Sequence, residues 1–345
     1  MKDREIVRMA YRFILGREPE SDTVLNREFE DIYTLRKEFI NSPEFLEYFL
    51  QIKPQDNFVY IKNFEQLDNF IEKYKTEKNG KILRSHFIDL NSFYDLFGSK
   101  NNYIDKPYSE KYKNWEMDFF EFLSGKKYQF DNEGLTTEEL SPEQHPATGY
   151  TVPHKIRMLQ NQKDLLVELG DIKGKKILEM GCGRGNLATF FEFIGCDYYA
   201  VEASRNYVDI TKKRIYSNKM KNQIINKSFY DISYFRQIFD LVVFEASFHH
   251  CGEPLKLLDI LYQNTASDAS LIFLREPFKN DYERPWGIVR SDGETMLQIR
   301  MRGWLELGYR TDFFMDLLKK TGWNGKEIDT FTFADAKVFI AKKVK

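Results

Sequence analysis

The sequence has few cysteines and no long uncharged apolar run. Its three cysteines, Cys182, Cys196 and Cys251, are odd in number and form no C-x-x-C pair, so neither a disulfide framework nor a zinc site is favoured. No stretch approaches the roughly 18 apolar residues of a membrane-spanning helix, and the first residues, MKDREIVRMA, lack the apolar run of a signal peptide. We therefore expect a soluble, cytoplasmic protein without a membrane span, or one held peripherally at the inner membrane.

A large charge of either sign is also missing. The chain has 51 Lys and Arg against 53 Asp and Glu, a formal net charge of −2, which argues against nucleic acid as a partner. The sequence has enough apolar residues to form sizeable hydrophobic cores, because 42% of its 345 residues are hydrophobic. A chain of this length is expected to form more than one domain.

The apolar spacing divides the chain into three parts. Residues 1–52 are expected to form a small helical accessory domain, since Ile6, Ala10, Phe13 and Ile14 follow helical spacing and Ser42-Pro43 is a helix start. Residues 53–160 are interpreted as a connecting or lid region, with a Gly- and Pro-punctuated loop at 131–150.

From residue 161 to residue 345 a regular alternation begins. A helix is expected at 161–169, and strands then alternate with helices, which predicts a parallel α/β sheet with right-handed crossovers. After residue 311 come one helix and two short strands that can pair as a hairpin. An insertion, residues 276–309, follows the fifth strand of the sheet.

The stretch ILEMGCGRGN, residues 177–186, ends an apolar strand in alternating glycines, with the acid Glu179 just before them. A strand, a glycine turn and a helix bring backbone amides together at one edge of a sheet, as in nucleotide sites. A dinucleotide fingerprint needs a third glycine where Asn186 stands, and a phosphate-binding loop needs Lys-Ser/Thr after the glycines. Neither is present.

The pattern acid-x-Gly-x-Gly-x-Gly resembles the motif of class I S-adenosylmethionine-dependent methyltransferases, over roughly residues 161–345. The resemblance implies a Rossmann-like α/β sheet with a terminal antiparallel hairpin, here preceded by a small helical domain, and S-adenosyl-L-methionine as cofactor. It implies that Glu202 holds the ribose hydroxyls and that Asp231 meets the adenine amino group. The motif itself would contribute Glu179, Gly181, Gly183 and Gly185.

Four residues are candidates for catalysis because they follow the fourth and fifth strands of the sheet. His249 or His250 is expected to take the proton from an acceptor hydroxyl, although such a His-His turn can also simply pack a loop. Glu245 and Glu276 end neighbouring strands and can orient the acceptor, or alternatively cap loops or pair with arginines. No metal is expected, since an Asp-rich cluster is missing.

The insertion is rich in aromatic and charged residues, which suits sugar binding, whereas the alternative is a local mini-core. The candidate acceptor-binding residues are Trp286, Arg290, Asp292 and Trp304. The insertion resembles segments of bacterial surface-polysaccharide methyltransferases, and residues 1–52 resemble a helical domain of unknown function found on bacterial glycosyltransferases and related glycan enzymes.

Together the two resemblances imply O-methylation of a sugar hydroxyl in capsule or O-antigen biosynthesis, with the glycan acceptor and assembly enzymes such as a glycosyltransferase as partners. Two alternatives remain. One is a methyltransferase for a small molecule or a lipid intermediate, and the other is a non-catalytic scaffold that docks a glycosyltransferase.

Overall fold

The structure is a computed structural model that describes residues 4–15, 18–31, 34–35, 38–39, 42, 58–77, 80–100, 102–133, 169–328 and 337–344. Three predicted features lie outside these residues: almost all of the helix at 161–169, the helix that would start after Ser42, and the larger part of the loop at 131–150.

The strands follow the apolar runs of the sequence. In the described part of the chain they are β1 (Val59–Ile61), β2 (His86–Ile88), β3 (Lys176–Met180), β4 (Asp197–Glu202), β5 (Ile224–Asn226), β6 (Phe239–Glu245), β7 (Thr265–Glu276), β8 (Trp286–Gly287), β9 (Gly308–Tyr309), β10 (Trp323–Ile328) and β11 (Lys337–Lys343).

Seven of these strands form the central sheet, in the order β5-β4-β3-β6-β7-β11-β10. Strands β3 to β7 pair in parallel, as the alternation of strands and helices predicts. Strand β11 runs antiparallel to both of its neighbours, β7 and β10. The predicted terminal antiparallel hairpin and the Rossmann-like sheet are thereby confirmed.

Helices connect the strands and begin or end at the residues that the sequence indicates. Ser204 caps the helix Arg205–Arg214 by accepting a hydrogen bond from the Tyr207 amide, and Gly195 ends the helix Asn186–Ile194 with φ 84°. The described α-helices are α1 (Arg4–Ala10), α2 (Asp22–Leu25), α3 (Phe64–Glu77), α4 (Gly80–Ser85), α5 (Leu90–Phe97), α6 (Glu110–Ser124), α7 (Phe130–Glu133), α8 (Asn186–Ile194), α9 (Arg205–Arg214), α10 (Asn218–Asn222), α11 (Pro254–Gln263), α12 (Gly293–Leu297) and α13 (Thr311–Lys320).

The two faces of the sheet contribute to two hydrophobic cores. Successive side chains of a strand point to opposite faces, so Ile177 belongs to one core and Leu178 to the other. The core around Leu178 also contains the fully buried rings of Phe93, Phe119 and Phe120 from the middle of the chain. The sequence predicts a connecting or lid region at 53–160, whereas the described residues of that region share one core with the sheet.

The insertion after β7 is folded rather than irregular. Its strands β8 and β9 pair antiparallel, and α12 follows an N-cap at Asp292. Arg284 joins the insertion to α6 through a buried ion pair with Glu116, in which Nε lies 2.8 Å from Oε1. The mini-core interpretation therefore describes most of this segment.

The described N-terminal residues have a hydrophobic core of their own. Helix α1, a π-helical turn at Tyr11–Leu15 and α2 pack around Val7, Tyr11, Leu25 and Phe39. The boundary at residue 52 stays a prediction. No helix in the described residues is both long and apolar enough to cross a membrane.

Candidate active site

The glycine turn between β3 and α8 forms one side of the site. Gly181, Gly183 and Gly185 have φ values of 78°, 50° and 78°, in the left-handed region that glycine adopts without strain. A Cβ on Gly185 would lie 2.6 Å from Cγ2 of Thr211, whose hydroxyl donates to the Gly183 carbonyl over 3.0 Å. Helix α9 therefore packs directly on the turn, and a side chain at Gly185 would separate them.

Glu202, at the end of β4, holds the turn from the other side. One of its carboxylate oxygens accepts from the Gly183 amide and the other from the Ser204 amide, each over 2.8 Å. Burial raises the pKa of Glu202, and these two amides oppose that rise. A carboxylate has about four acceptor positions, so Glu202 retains the capacity to accept from hydroxyl groups of a ligand.

A pocket of about 290 Å³ opens at this edge of the sheet. Gly181, Gly183 and Glu202 line it, together with the segment 228–230 after β5 and residues 245–247 after β6. Side chains from outside the sheet complete the wall: Tyr128, Phe130, Glu133, His250 and Trp304. The pocket thus joins the glycine turn to groups that can contact a second ligand.

Three polar atoms in this wall have no hydrogen-bond partner among the described residues, although they are buried. They are Oδ1 of Asn186, at the start of α8, Nδ1 of His250, and Nε1 of Trp304, in the insertion. Buried polar atoms are almost always hydrogen-bonded in native structures. An acceptor and a donor left open in one pocket indicate that it takes a polar ligand.

Glu179 lies outside the pocket. It is 1% exposed, and its carboxyl group accepts a hydrogen bond from the hydroxyl of Tyr198 on β4. Burial raises the pKa of Glu179 well above its usual value, more than the Tyr198 hydrogen bond lowers it. The motif acid is therefore placed to link β3 to β4, which corrects the expectation that its side chain contacts the cofactor.

Asp231 does not line the pocket either. It is exposed, and its carboxylate accepts from the Ser228 amide over 3.2 Å, in a capping box that begins the 3-10 helix Phe229–Phe235. The adenine contact of Asp231 stays a prediction, because its exposed carboxylate accepts one hydrogen bond within its own turn and keeps further acceptor positions. Here the pocket is lined by Ser228, Phe229 and Tyr230 instead.

His249 and Glu276 form a buried pair behind the pocket. Nδ1 of His249 lies 2.8 Å from Oε2 of Glu276, and Glu276 also accepts from the amides of Ser247, Phe248 and His249. Burial raises the pKa of Glu276, but His249 and these amides lower it further. Burial, followed by repulsion from His250, lowers the pKa of His249. Glu276 is thus an ionised carboxylate that fixes the turn after β6, and it does not reach the pocket lining.

His250 is the histidine that faces the pocket. Its Nδ1 lies 3.1 Å from Oε2 of Glu133, an ion-pair distance without the direction of a hydrogen bond. Burial lowers the pKa of His250, but the charge of Glu133, followed by Glu306 and Glu276, raises it further, to about 9. Nδ1 faces Glu133, which leaves Nε2 as the nitrogen that can exchange a proton with a ligand.

The two histidines are linked to the insertion. Their rings lie 4.3 Å apart, and Nε2 of His249 is 3.5 Å from Oε2 of Glu306. His249, His250 and Glu306 are close enough to surround a cation. The guanidinium of Arg290, 2.6 Å from the same Glu306 oxygen, supplies a positive charge there.

Glu245 lines the pocket beside a strained stretch of backbone. It forms an ion pair with Arg275, Oε1 to Nη1 at 3.5 Å, and Ala246 and Arg275 have φ values of 51° and 59°. Left-handed conformations cost free energy for residues other than glycine, and they cluster at functional sites. Glu245 and Glu276 do end neighbouring strands, but only Glu245 reaches the pocket.

The four candidate acceptor residues of the insertion separate into three groups. Trp304 lines the pocket beside the glycine turn, the cofactor-side pocket, and its contact with the acceptor stays a prediction. Arg290 and Asp292 line a different pocket, of about 640 Å³. Trp286 is 4% exposed, stacks against Tyr309 at 6.2 Å and donates its Nε1–H to the Pro107 carbonyl. A ring covered in this way offers no face to a sugar, which corrects the expected role of Trp286.

Sequence reasoning did not identify Glu133, Tyr128 or Glu306. Glu133 and Tyr128 lie in the region without a clear period, and only tertiary packing brings them to His250. The sole sequence signal is an acid, Glu133, at the start of a Gly- and Pro-rich stretch. Glu306 lies in the insertion, between Trp304 and Tyr309.

Residues 153–303 match the family described as "Methyltransferase domain". An S-adenosylmethionine-dependent methyltransferase from Mesorhizobium loti is similar in structure, with 13% identity over 53% of this chain and 98% of that chain and a TM-score of 0.43. Magnesium protoporphyrin IX methyltransferase from Synechocystis PCC 6803 with bound S-adenosylmethionine has 15% identity over 67% and 96% of the two chains, with a TM-score of 0.41. The same enzyme with bound S-adenosylhomocysteine has 16% identity over 56% and 84%, also with a TM-score of 0.41. A search of curated proteins found no match.

The strand order, the reversed β11, the glycine turn and the family match together give the class I S-adenosylmethionine-dependent methyltransferase fold. The matched part of the chain is thus a methyltransferase domain, and its fold is the one that takes S-adenosyl-L-methionine as cofactor.

Proposed function

We propose that this protein transfers a methyl group to a hydroxyl group of a sugar in a bacterial surface glycan, such as a capsule or an O-antigen. The observation that carries the choice of a hydroxyl acceptor is the His250–Glu133 pair in the pocket wall, with Nδ1 and Oε2 3.1 Å apart. A hydroxyl is a weak acid and needs a positioned base to attack at neutral pH, whereas a sulfur or amine acceptor needs one much less.

The residues around the glycine turn fit the cofactor. A Cβ on Gly183 would meet no atom within 4 Å, so the backbone there borders open space that a ligand can approach closely. Glu202 would accept hydrogen bonds from the ribose hydroxyls, while the turn and the open Oδ1 of Asn186 would face the polar part of the cofactor. S-Adenosylmethionine supplies an electrophilic methyl group when bound, and the protein supplies alignment and a base.

His250 would act as the base through Nε2. Nδ1 lies beside Glu133, and the negative charge of Glu133 would stabilise the imidazolium that results when Nε2 takes the hydroxyl proton. His249 would act as a positioning residue, since it is buried against Glu276 and its ring lies 4.3 Å from that of His250. Glu245 would orient the acceptor from the end of β6.

The choice of a sugar is supported by the aromatic wall of the pocket. Tyr128, Phe130 and Trp304 line it beside Glu133 and His250. Aromatic faces next to hydrogen-bonding groups suit the apolar C–H faces and the hydroxyls of a sugar ring. The open Nε1–H of Trp304 provides a donor for one hydroxyl.

Residues 1–52 belong to the same proposal as a docking unit for a glycosyltransferase or another glycan-assembly enzyme, which would place the reaction in the cytoplasm. Their described part has a separate core around Val7 and Tyr11, which suits an attached interaction domain.

The test is an acceptor search with the full-length protein. The protein is incubated with methyl-labelled S-adenosylmethionine and cell-envelope glycan fractions, and mass spectrometry locates the label. We expect the label on a sugar oxygen, and its loss in a Glu202→Ala variant but not in the exposed matched variant Asp209→Asn. Label on a lipid or on a small molecule would favour the alternative acceptors, and cofactor binding without any transfer would favour a scaffold.

A further inference from the structure

A second pocket, of about 640 Å³, lies where the middle segment of the chain meets the insertion. It shares none of its lining residues with the cofactor-side pocket. One wall comes from β1, β2 and the start of α5, and the other from residues 279–283 and 289–292. The role proposed above for the cofactor-side pocket does not account for this larger space.

An exposed aromatic platform borders the pocket. Phe58 lies directly before β1 and Tyr60 lies within it, and the two side chains are 52% and 58% exposed. Phe87 of β2 pairs in register with Tyr60, and its ring centroid lies 5.1 Å from that of Phe58 and 6.2 Å from that of Tyr60. Exposed aromatic rings grouped in this way mark a binding surface.

The charges around this platform are mixed. The positive side chains in the lining are Lys62, Lys279 and Arg290, and the negative ones are Asp89, Asp281, Glu283 and Asp292. This balance argues against a phosphorylated or otherwise strongly anionic ligand, and the density of charge argues against an apolar peptide. Aromatic faces surrounded by carboxylates and ammonium groups suit a neutral ligand with apolar faces and many hydroxyls.

A series of side-chain contacts connects this pocket to the active site. Arg290 lines the second pocket and pairs with Glu306 at 2.6 Å. Glu306 in turn lies 3.5 Å from Nε2 of His249, whose ring is 4.3 Å from that of His250. These contacts connect the second pocket to His250, the histidine that lines the cofactor-side pocket.

We propose that the second pocket binds a neutral oligosaccharide, namely the sugars of the acceptor chain that are not themselves methylated. The aromatic platform and the balanced charges indicate a neutral oligosaccharide. That this oligosaccharide is part of the methyl acceptor rests on the function proposed above. The enzyme would then recognise a chain of several sugars, with Tyr60 as a stacking residue.

The first test measures binding without methyl transfer. Full-length protein is applied to an array of neutral, carboxylated and phosphorylated oligosaccharides, and the neutral ones that it retains are titrated by calorimetry. We expect Tyr60→Ala to weaken binding at least tenfold and Tyr60→Phe to retain it, because the ring face and not the hydroxyl makes the contact. Tyr216→Ala, at a ring that is 90% exposed, is the control and should bind as wild type does. Absence of any neutral ligand, preference for the anionic ones, or unchanged binding by Tyr60→Ala would each contradict the proposal.

The second test separates this site from the proposed function. Methyl transfer is compared on a single-sugar glycoside and on the corresponding longer oligosaccharide. Tyr60→Ala should raise KM about tenfold for the longer acceptor only, with kcat unchanged. If neutral oligosaccharides bind through Tyr60 but no glycan is methylated, the proposed function is wrong and the site stands. If glycans are methylated and Tyr60→Ala leaves both KM values unchanged, the function stands and the site is wrong.

Discussion

At the scale of single residues, Glu202 combines a structural and a ligand-binding position. Its two oxygens hold the amides of Gly183 and Ser204, and the same carboxylate lines the pocket. Because the carboxylate is fixed by these amides before any ligand arrives, little side-chain entropy is lost when hydroxyl groups bind to it.

Replacing Glu202 should therefore weaken cofactor binding strongly. A hydrogen bond to a charged group contributes roughly 1.5–3 kcal/mol, so Glu202→Ala should reduce the affinity for S-adenosylmethionine between about tenfold and more than a hundredfold. Calorimetric titration measures the affinity, circular dichroism checks the fold, and Asp209→Asn on α9 is the exposed control. Unchanged affinity in a folded Glu202→Ala protein would remove Glu202 from the cofactor site.

The two adjacent histidines should differ in their effect on turnover. His250 lines the pocket, whereas His249 is 7% exposed and bound to Glu276. A positioned base contributes roughly 10²–10⁴-fold, so His250→Gln should lower kcat by that amount with little change in cofactor affinity. His249→Gln should lower kcat less, because the side-chain amide of the glutamine can still donate a hydrogen bond to Glu276. An equal or larger loss in His249→Gln would assign the base to the other histidine.

The pH dependence of the reaction should report on the His250–Glu133 pair. The pKa of His250 is about 9, so the neutral imidazole is the minor form at pH 7 and the rate should rise with pH until it levels off near that value. Glu133→Gln removes the negative charge that favours the imidazolium, so the pKa of His250 should fall and the rising limb should move to lower pH. Profiles of kcat/KM test this shift. If the rising limb of the kcat/KM profile lies at the same pH in Glu133→Gln as in the wild type, another group takes the proton.

At the scale of secondary-structure elements, the parallel strands and the glycine turn could be predicted because their signals are local. The apolar run KKILEMG ends in glycines, and Gly195 marks the end of α8. Roles that depend on packing between distant segments could not be predicted in this way. Asp231 binds within its own turn, and Glu133 reaches His250 only through the fold.

The contact between α6 and the insertion is a further case of packing that leaves no local signal. Glu116 is 1% and Arg284 3% exposed, and Oε2 of Glu116 also accepts from the Ile288 amide over 3.0 Å. Burial lowers the pKa of Arg284, but Glu116 and Tyr94 raise it further, so the guanidinium stays charged. The buried charge fixes the start of the insertion against α6.

Breaking this pair should destabilise the protein markedly. Removing one partner of a buried ion pair costs roughly 3–5 kcal/mol, whereas replacing both partners by apolar residues is often close to neutral. Glu116→Leu should therefore lower Tm by roughly 6–20 °C, at about 2–4 °C per kcal/mol, and adding Arg284→Met should recover part of the loss. Differential scanning calorimetry measures both, with the exposed Glu110→Gln on the same helix as control. A double variant less stable than Glu116→Leu would contradict this account.

At the scale of the whole molecule, the middle segment and the sheet depend on each other. The described residues from β1 to α6 contribute rings that are fully buried in the same core as Leu178 and Phe244. The insertion lies in that core as well, through Ile288 and Leu305. The methyltransferase sheet is therefore covered by a segment that precedes it in the chain, and the N-terminal core around Val7 is separate.

Two truncations should separate these units. A chain of residues 53–345 should fold and bind S-adenosylmethionine as the full chain does, because the core around Val7 lies wholly before residue 53. A chain of residues 161–345 should fail to unfold cooperatively, because it loses Phe93, Tyr112, Phe119 and Phe120, each 0% exposed. Burial of one such side chain stabilises by about 1.5–3 kcal/mol, so the four together match the whole stability of a typical domain, about 5–15 kcal/mol. Thermal unfolding and calorimetric titration measure both chains, and a cooperative, cofactor-binding 161–345 chain would show that the middle segment is a separable lid after all.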